Sequence, residues 1–314
     1  MITDTTQPDW FMAGGGAIGL ALASRLSLDG QSVGLLGRDG EEGRMAVSYR
    51  DVDGSRHDLE VPFISPSAGQ GIDRMLIATK AFSVRDVLRR WGGSLGSSAR
   101  LFFLQNGVDF HEPSDLPAGV RHLFTVNAGF TAYRDEEGVI VQTACSEVLV
   151  GESDVSHSVP DETLERDLAS LRSAGLQLRW TTDIDEQRWV KLAVNAVINP
   201  LSVLHGCRNG EIPEREGADA LIRGMCEESG RVLDRMGIDF SADDIRNEVL
   251  RVAEHTARNY SSMHQDHRRG DGLNELGYIN LPLIEAGVRH GLDMSTHRSV
   301  YERASSIFGD LPSR

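Results

Sequence analysis

The chain has 314 residues, of which 40% are hydrophobic and 25% charged, with a net charge of −15. A single core usually stops growing near about 250 to 300 residues, so two domains are expected, and the acidic balance excludes nucleic acid and acidic membrane surfaces as natural partners. No apolar run approaches the roughly 20 residues that span a bilayer, and the opening MITDTTQPDW lacks the basic and apolar regions of an export signal, so a cytoplasmic protein acting on a small molecule is expected.

In chain order, the first strong pattern is WFMAGGGAIGLALASRLSLDGQSVGLLGRDG, residues 10 to 40. A short apolar strand runs into Gly14, Gly16 and Gly19 in GxGxxG spacing; a helix of alanine and leucine ends at Gly30, and a second strand covers Ser32 to Leu36. With 33 glycines in the chain, about 0.3 chance matches to three such positions are expected, so the strand and helix context carries the assignment. That context predicts a dinucleotide fold, in which the glycines allow a tight turn and the helix N-terminus offers N–H groups to a pyrophosphate. At the end of the second strand Arg38 precedes Asp39, which favours the 2′-phosphate of NADP over the bare ribose of NAD.

Met45 to Val61 predicts a hairpin around Asp53-Gly54. Next, DRMLIATKAFSVRDVLRRW places Lys80 after a strand and before a helix, and RLFFLQNGVDF places Asn106 after a second strand. Both sites therefore fall at the carboxyl ends of presumed parallel strands, the edge where open α/β sheets bind ligands. RHLFTVNAGF, GVIVQTA and EVLVG continue the strand pattern, and a helix is expected near Asp161 to Ser173. After Thr182 the period becomes helical through Asp185 to Asn199, Arg215 to Met236, Ala242 to Thr256 and Leu276 to His290. The expected organisation is an α/β Rossmann-type domain over residues 1–182, followed by an all-α helical domain over 183–314.

The 32 basic residues comprise 30 arginines and two lysines, Lys80 and Lys191. Where arginine replaces lysine almost everywhere, the surviving lysines should mark sites that arginine cannot serve, because an ammonium can give up its proton and a guanidinium effectively cannot. Lys191, Asn195 and Asn199 stand at i, i+4 and i+8, so on a helix they drift only about 80° and form one polar stripe among Leu192, Ala193, Val194, Ala196, Val197 and Ile198. Buried amides need partners, so this stripe predicts a ligand cavity, and Pro200 is expected to break or kink the helix just beyond it. Farther on, RNYSSMHQDHRRGDGLNELGYIN supplies Ser262 and Glu275, with a helix end followed by a loop at Gly270 to Gly272. His264, Asp266 and His267 form no complete metal ligand set, and Cys145, Cys207 and Cys226 are too scattered for a metal or disulfide framework, so no metal is expected.

Taken together, AGGGAIG, ATKAFSV, LQNGV, WVKLAVNAVINPLSVL, CRNGEI and NYSSMHQD…NEL…YIN resemble the 2-dehydropantoate 2-reductase (ketopantoate reductase) family, in that family's order from residue 13 to 280. The resemblance implies NADPH at Gly14, Gly16, Ala17, Ile18 and Gly19, with Arg38, Lys80, Asn106, Ala132 and Glu275 as its neighbours, and a 2-keto acid in a cleft between the domains. By residue match, Lys191 is similar to the family's general acid, and Asn195, Asn199, Asn209 and Ser262 to its substrate-binding residues. A homodimer is left open. The segment departs from the family pattern where His264 and His267 stand for leucines, Asn274 stands for threonine, and one extra residue precedes Glu275. Those changes keep a reductase of another branched 2-keto acid in view; the alternative of another class is a catalytically silent NADP-binding regulator, against which retention of both lysines and the amide stripe argues.

Overall fold

Strand-forming runs dominate the first half of the chain and helical periodicity the second, and the backbone divides accordingly. The computed structural model describes residues 7–37, 41, 43–64, 71–108, 116–127, 129–153, 159–270 and 274–308. One unit comprises Met1–Gln105 and His111–Ile184; the other comprises Asn106–Phe110 and Asp185–Arg314. None of the described helices is long and apolar enough to cross a membrane.

The first unit contains β1 (Trp10–Ala13), α1 (Ala17–Leu28), β2 (Val33–Leu36), β3 (Arg44–Arg50), β4 (Arg56–Ile64), β5 (Ile72–Ile77), α2 (Val84–Trp91), β6 (Leu95–Phe103), β7 (Arg121–Asn127), β8 (Phe130–Arg134), β9 (Ile140–Cys145), β10 (Glu147–Glu152), α3 (Glu162–Ser173) and β11 (Gln177–Trp180). Its described strands form one sheet in the order β11-β10-β7-β6-β5-β1-β2-β4-β3-β9-β8. The centre, from β7 to β4, is parallel, as a Rossmann-like unit requires. The β3–β4 hairpin turns at Gly54, with φ +89°.

RHLFTVNAGF is not one strand. Asn127 folds back on the chain: its Oδ1 accepts the N–H groups of Gly129 (3.2 Å) and Phe130 (2.7 Å), and its Nδ2 donates to the Phe130 carbonyl (2.8 Å). This side-chain turn ends β7 and starts β8, which closes the opposite edge of the strand order. The sheet accordingly packs around α1, which contacts β1, β3, β8 and β9 and buries Leu20, Leu22 and Leu26 with Trp10, Met12 and Phe102.

The helical unit contains α4 (Ile184–Leu204), α5 (Ala218–Arg235), α6 (Ala242–His255), α7 (Ser262–Arg269), α8 (Leu276–Arg289) and α9 (Ser295–Phe308), with a short 3-10 helix over Asn209–Glu214. Helix α4 joins two apolar clusters. Ala193, Val194, Val197, Ile198 and Leu201 pack with side chains of α5 and α6, whereas Leu192, Ala196 and Val203 pack with those of α8.

Of the two outcomes expected at Pro200, the break does not occur: α4 runs on to Leu204. Proline removes one N–H donor from a helix, and here the Ala196 carbonyl that would have received it takes a bond from Asn280 Nδ2 at 2.9 Å. The helix ends instead at Gly206, with φ +58°, where Cys207 N–H reaches the Ser202 carbonyl (3.1 Å).

Helix α9 is anchored by a buried carboxylate. Glu228 on α5 accepts the N–H groups of Thr296 (2.7 Å) and His297 (2.9 Å), placing negative charge at a helix N-terminus. The fully buried His297 ring has Nε2 within reach of Ser229 Oγ (2.9 Å) and the Met225 carbonyl (3.1 Å). Burial pulls its pKa down to about 4 against the opposing influence of Glu228, so the folded ring is neutral. Because the unfolded histidine titrates near 6.5, this stabilisation is complete above that pH and is lost as pH falls from 6.5 towards 4. Urea unfolding should therefore reveal a smaller loss of stability between pH 7.5 and pH 4.5 in His297→Asn than in the parent, by roughly 2 kcal/mol; equal losses in the two would mean that the His297 ring has the same pKa folded as unfolded.

Candidate active site

In the sheet unit, the glycine motif is shaped by close backbone contact. Gly14 has φ +119°, and a Cβ there would approach the carbonyl carbon of Ala78 to 2.7 Å and the nitrogen of Thr79 to 2.8 Å. A Cβ on Gly19 would fall 2.1 Å from the Gly14 oxygen, so α1 can begin this near the turn only without side chains. Gly16, the N-cap of α1, has open space where its Cβ would be, and no side chain caps the helix. Ala17 and Ile18 form the first helical turn beside it. These features leave the N–H groups of the first turn available to an anion.

Two buried polar atoms at the carboxyl ends of β5 and β6 lack partners among the described residues: Thr79 Oγ1 and Gln105 Oε1. The Gln105 amide nitrogen donates to the carbonyls of Ile77 (2.8 Å) and Thr79 (2.9 Å), which fixes its oxygen in the other direction. Glycine turn, uncapped helix and orphaned acceptors together fit a dinucleotide. Lys80 follows Thr79 as the N-cap of a short 3-10 helix. Ala132 lies on β8, opposite Gln142 of β9, and packs against the core around α1. Arg38 lies outside the described residues.

In the helical unit, the apolar contacts of α4 leave Lys191, Asn195 and Asn199 as its polar stripe. Lys191 and Asn195 retain partial exposure, whereas Asn199 is buried. Desolvation lowers the Lys191 ammonium to about 8, opposed by the Glu275 carboxylate, which favours the charged form. Glu275 is buried at the N-cap of α8, next to Asn274, whose Oδ1 accepts the Leu276 N–H at 2.9 Å. An asparagine at this position thus serves the helix start as a threonine would.

Asn209 opens the 3-10 helix. Its backbone N–H donates to the Asn259 carbonyl (2.9 Å) and its Nδ2 to Thr256 Oγ1 (2.8 Å), while Oδ1 is buried without a partner among the described residues. Ser262 is exposed at the first position of α7, after the buried cap Ser261. The Ser261 hydroxyl bonds that of Ser202 on α4, and His264 Nδ1 lies 3.0 Å from the Ser202 carbonyl. His264 also stacks on Tyr260 with ring centroids 4.5 Å apart. Its replacement of leucine therefore has a structural account: the ring secures the start of α7 to the end of α4.

Asn106 belongs to the helical unit. Gly107 after it has φ +99°, and a Cβ there would sit 2.8 Å from the Tyr278 carbonyl on α8, the carbonyl to which Pro282 has no N–H to give. Arg188 Nη2 donates to the Val108 carbonyl (2.8 Å), which secures the same segment to α4. The structure thus brings Lys191 and Glu275 into electrostatic contact, and draws the segments of Asn209 and Ser262 to the surroundings of the α4 terminus. Sequence patterns assigned no role to Asn280, Thr79, Gln105 or Ser261. A proline inside an apolar helix was the available signal for Asn280, since it implies a carbonyl in need of a donor.

Two family models match the chain: Ketopantoate reductase PanE/ApbA over residues 10–154 and Ketopantoate reductase PanE/ApbA C terminal over residues 183–307. The 2-dehydropantoate 2-reductase of Salmonella typhimurium is 30% identical over 260 residues, covering 82% of this chain and 81% of its own. The crystal structure of a PanE/ApbA family ketopantoate reductase from Ralstonia eutropha aligns with a TM-score of 0.81 at 23% identity, over 95% of this chain and 98% of its own. The ternary structure of D-mandelate dehydrogenase with NADH and anilino(oxo)acetate gives the same TM-score at 18% identity, over 95% and 97%. At such identities the two structures speak for the fold alone.

Because the chain contains only two lysines, labelling lysine with 13C at Cε gives a direct view of this site. One of two resonances should titrate near pH 8 and vanish in Lys191→Arg; a Lys191 signal that titrates above pH 10 would contradict the desolvated environment described above.

Proposed function

The chain belongs to the PanE/ApbA ketopantoate reductase family, and on that premise we propose that it is an NADPH-dependent reductase of a 2-keto acid, with 2-dehydropantoate as the leading substrate and pantoate as the product. The observation that carries the reading is a rare lysine, desolvated to about 8 on the polar stripe of α4 and under the influence of a buried carboxylate, Glu275. NADPH, when bound, supplies hydride to the carbonyl carbon. Gly14, Gly16, Ala17, Ile18 and Gly19 would hold its pyrophosphate, Lys80, Asn106 and Ala132 would lie along it, and Arg38 would meet its 2′-phosphate.

Lys191 as an ammonium donates a hydrogen bond to the substrate carbonyl oxygen and gives up its proton as negative charge develops there. A pKa near 8 suits a general acid of this kind, because the group is mostly charged at pH 7 yet releases a proton far more readily than an exposed lysine. Glu275 favours the charged state and so keeps the acid loaded. Asn195, Asn199, Asn209 and Ser262 would hold the carboxylate and hydroxyl of the substrate, and the unpaired Oδ1 of Asn209 is an acceptor suited to a substrate hydroxyl.

The fold does not choose among 2-keto acids, as its equal likeness to D-mandelate dehydrogenase illustrates. His264 gives no support to another substrate, because its ring is engaged with the Ser202 carbonyl and Tyr260. The segment 271–273, with the added residue, lies outside the described residues.

NADPH oxidation with ketopantoate should exceed that with ketoisovalerate in kcat/KM; the reverse order would move the assignment to another branched 2-keto acid, and no turnover despite tight cofactor binding would favour a silent regulator. Lys191→Ala should lower kcat by about 10² to 10⁴ with NADPH affinity retained. In the parent protein kcat/KM for reduction should fall about tenfold per pH unit above 8, as the ammonium is lost. A flat profile between pH 7 and 10 would remove Lys191 from the role of acid.

A further inference from the structure

Pro200 poses a problem for α4, which the fold solves with one side chain. An α-helical proline has no N–H for the carbonyl four residues back, and a buried carbonyl without a donor is strongly unfavourable. Here that carbonyl belongs to Ala196, one residue after Asn195, and the missing donor comes from Asn280 of α8 at 2.9 Å. Asn280 is fully buried, and its Oδ1 has no partner among the described residues. Because its partner is a carbonyl oxygen, the amide nitrogen must face Ala196, so the orientation of the side chain is chemically determined. A leucine would fill the space without leaving an orphaned oxygen. Keeping an asparagine there is costly unless its donor is needed.

The same pair of helices carries Lys191 and Glu275. Asn280 and Ala196 are 84 residues apart, and so are Glu275 and Lys191. The hydrogen bond thus lies five residues beyond Lys191 on α4 and five residues beyond Glu275, the N-cap of α8. We propose that Asn280 is a positioning residue for the site: by replacing the donor that Pro200 removes, it holds the turn of α4 that carries Asn195 and Asn199 in register with Glu275 on α8. Its effect on turnover rests on the reductase reading above; its effect on the environment of Lys191 does not.

The test combines Asn280→Leu, which lacks a donor, with Pro200→Ala, which gives α4 a backbone N–H of its own. Lysine 13Cε titration reads the environment of Lys191 directly, and steady-state kinetics reads the site. In Asn280→Leu the Lys191 titration should move up from about 8 towards the ordinary lysine range, because desolvation is the larger influence on it and a loosened turn admits water. The kcat should drop about tenfold while the KM for NADPH stays within about twofold, the signature of misplacement rather than lost cofactor binding. Adding Pro200→Ala to Asn280→Leu should restore both readings to within about threefold of Pro200→Ala alone. An unchanged titration and kcat in Asn280→Leu, or a loss undiminished by Pro200→Ala, overturns the proposal and leaves Asn280 as packing. Should Asn280→Leu alone fail to fold, recovery of folding in the double variant supports the missing-donor account, and failure there also overturns it. Absence of any 2-keto acid turnover in the parent protein would overturn the reductase reading while the lysine titration still decides the role of Asn280.

Discussion

Helix α4 is packed from two sides at once, and the helical unit is organised around that constraint. Its apolar residues are divided between one cluster with α5 and α6 and another with α8, so polar side chains are confined to the remaining direction. Lys191, Asn195 and Asn199 occupy it in successive turns. A charge in such a place is sustained by partial exposure and by the Glu275 carboxylate against the cost of desolvation, and its pKa near 8 is the physical trace of that compromise. Arginine, with no accessible neutral form, would keep the charge but could not release a proton there. The retention of a lysine at 191 in a chain otherwise served by arginine fits that requirement.

The sheet unit meets a different constraint, the close approach of backbone to backbone. Gly14 and Gly19 are required because Ala78, Thr79 and the Gly14 carbonyl stand where their side chains would be. Gly16 is different: space is open above it, as expected where a ligand rather than protein comes near. The three glycines of one motif therefore serve distinct purposes, and only Gly14 and Gly19 are accounted for by the protein's own packing. The unpaired acceptors of Thr79 and Gln105 have the same meaning, since buried polar atoms without protein partners are a natural place for a ligand to bind.

Much of this was legible in the sequence because it depends on local chemistry. Gly14 to Gly19, the hairpin at Gly54 and the helical stripe through Lys191 are each determined within a few residues. What escaped depends on partners distant in the chain. RHLFTVNAGF has unbroken strand propensity, yet Asn127 divides it with bonds to Gly129 and Phe130. Pro200 was expected to stop or bend α4, and the donor that lets the helix continue lies 84 residues from the carbonyl it serves. His264 stood out as a departure in the substrate segment, whereas its ring belongs to the structural link between α7 and Ser202.

By itself, the sequence determined the two kinds of architecture, the dinucleotide turn and the marking of both lysines as candidates for chemistry, because glycine sterics, hydrophobic period and the proton chemistry of lysine are properties of residue type and short spacing; the family resemblance singled out Lys191 as the candidate acid. Only the tertiary structure decided that Glu275 faces Lys191, that Asn209 retains an unpaired oxygen, and that α4 survives its proline. Those outcomes depend on desolvation and on donors brought from remote segments, and neither exists until the chain has folded around them.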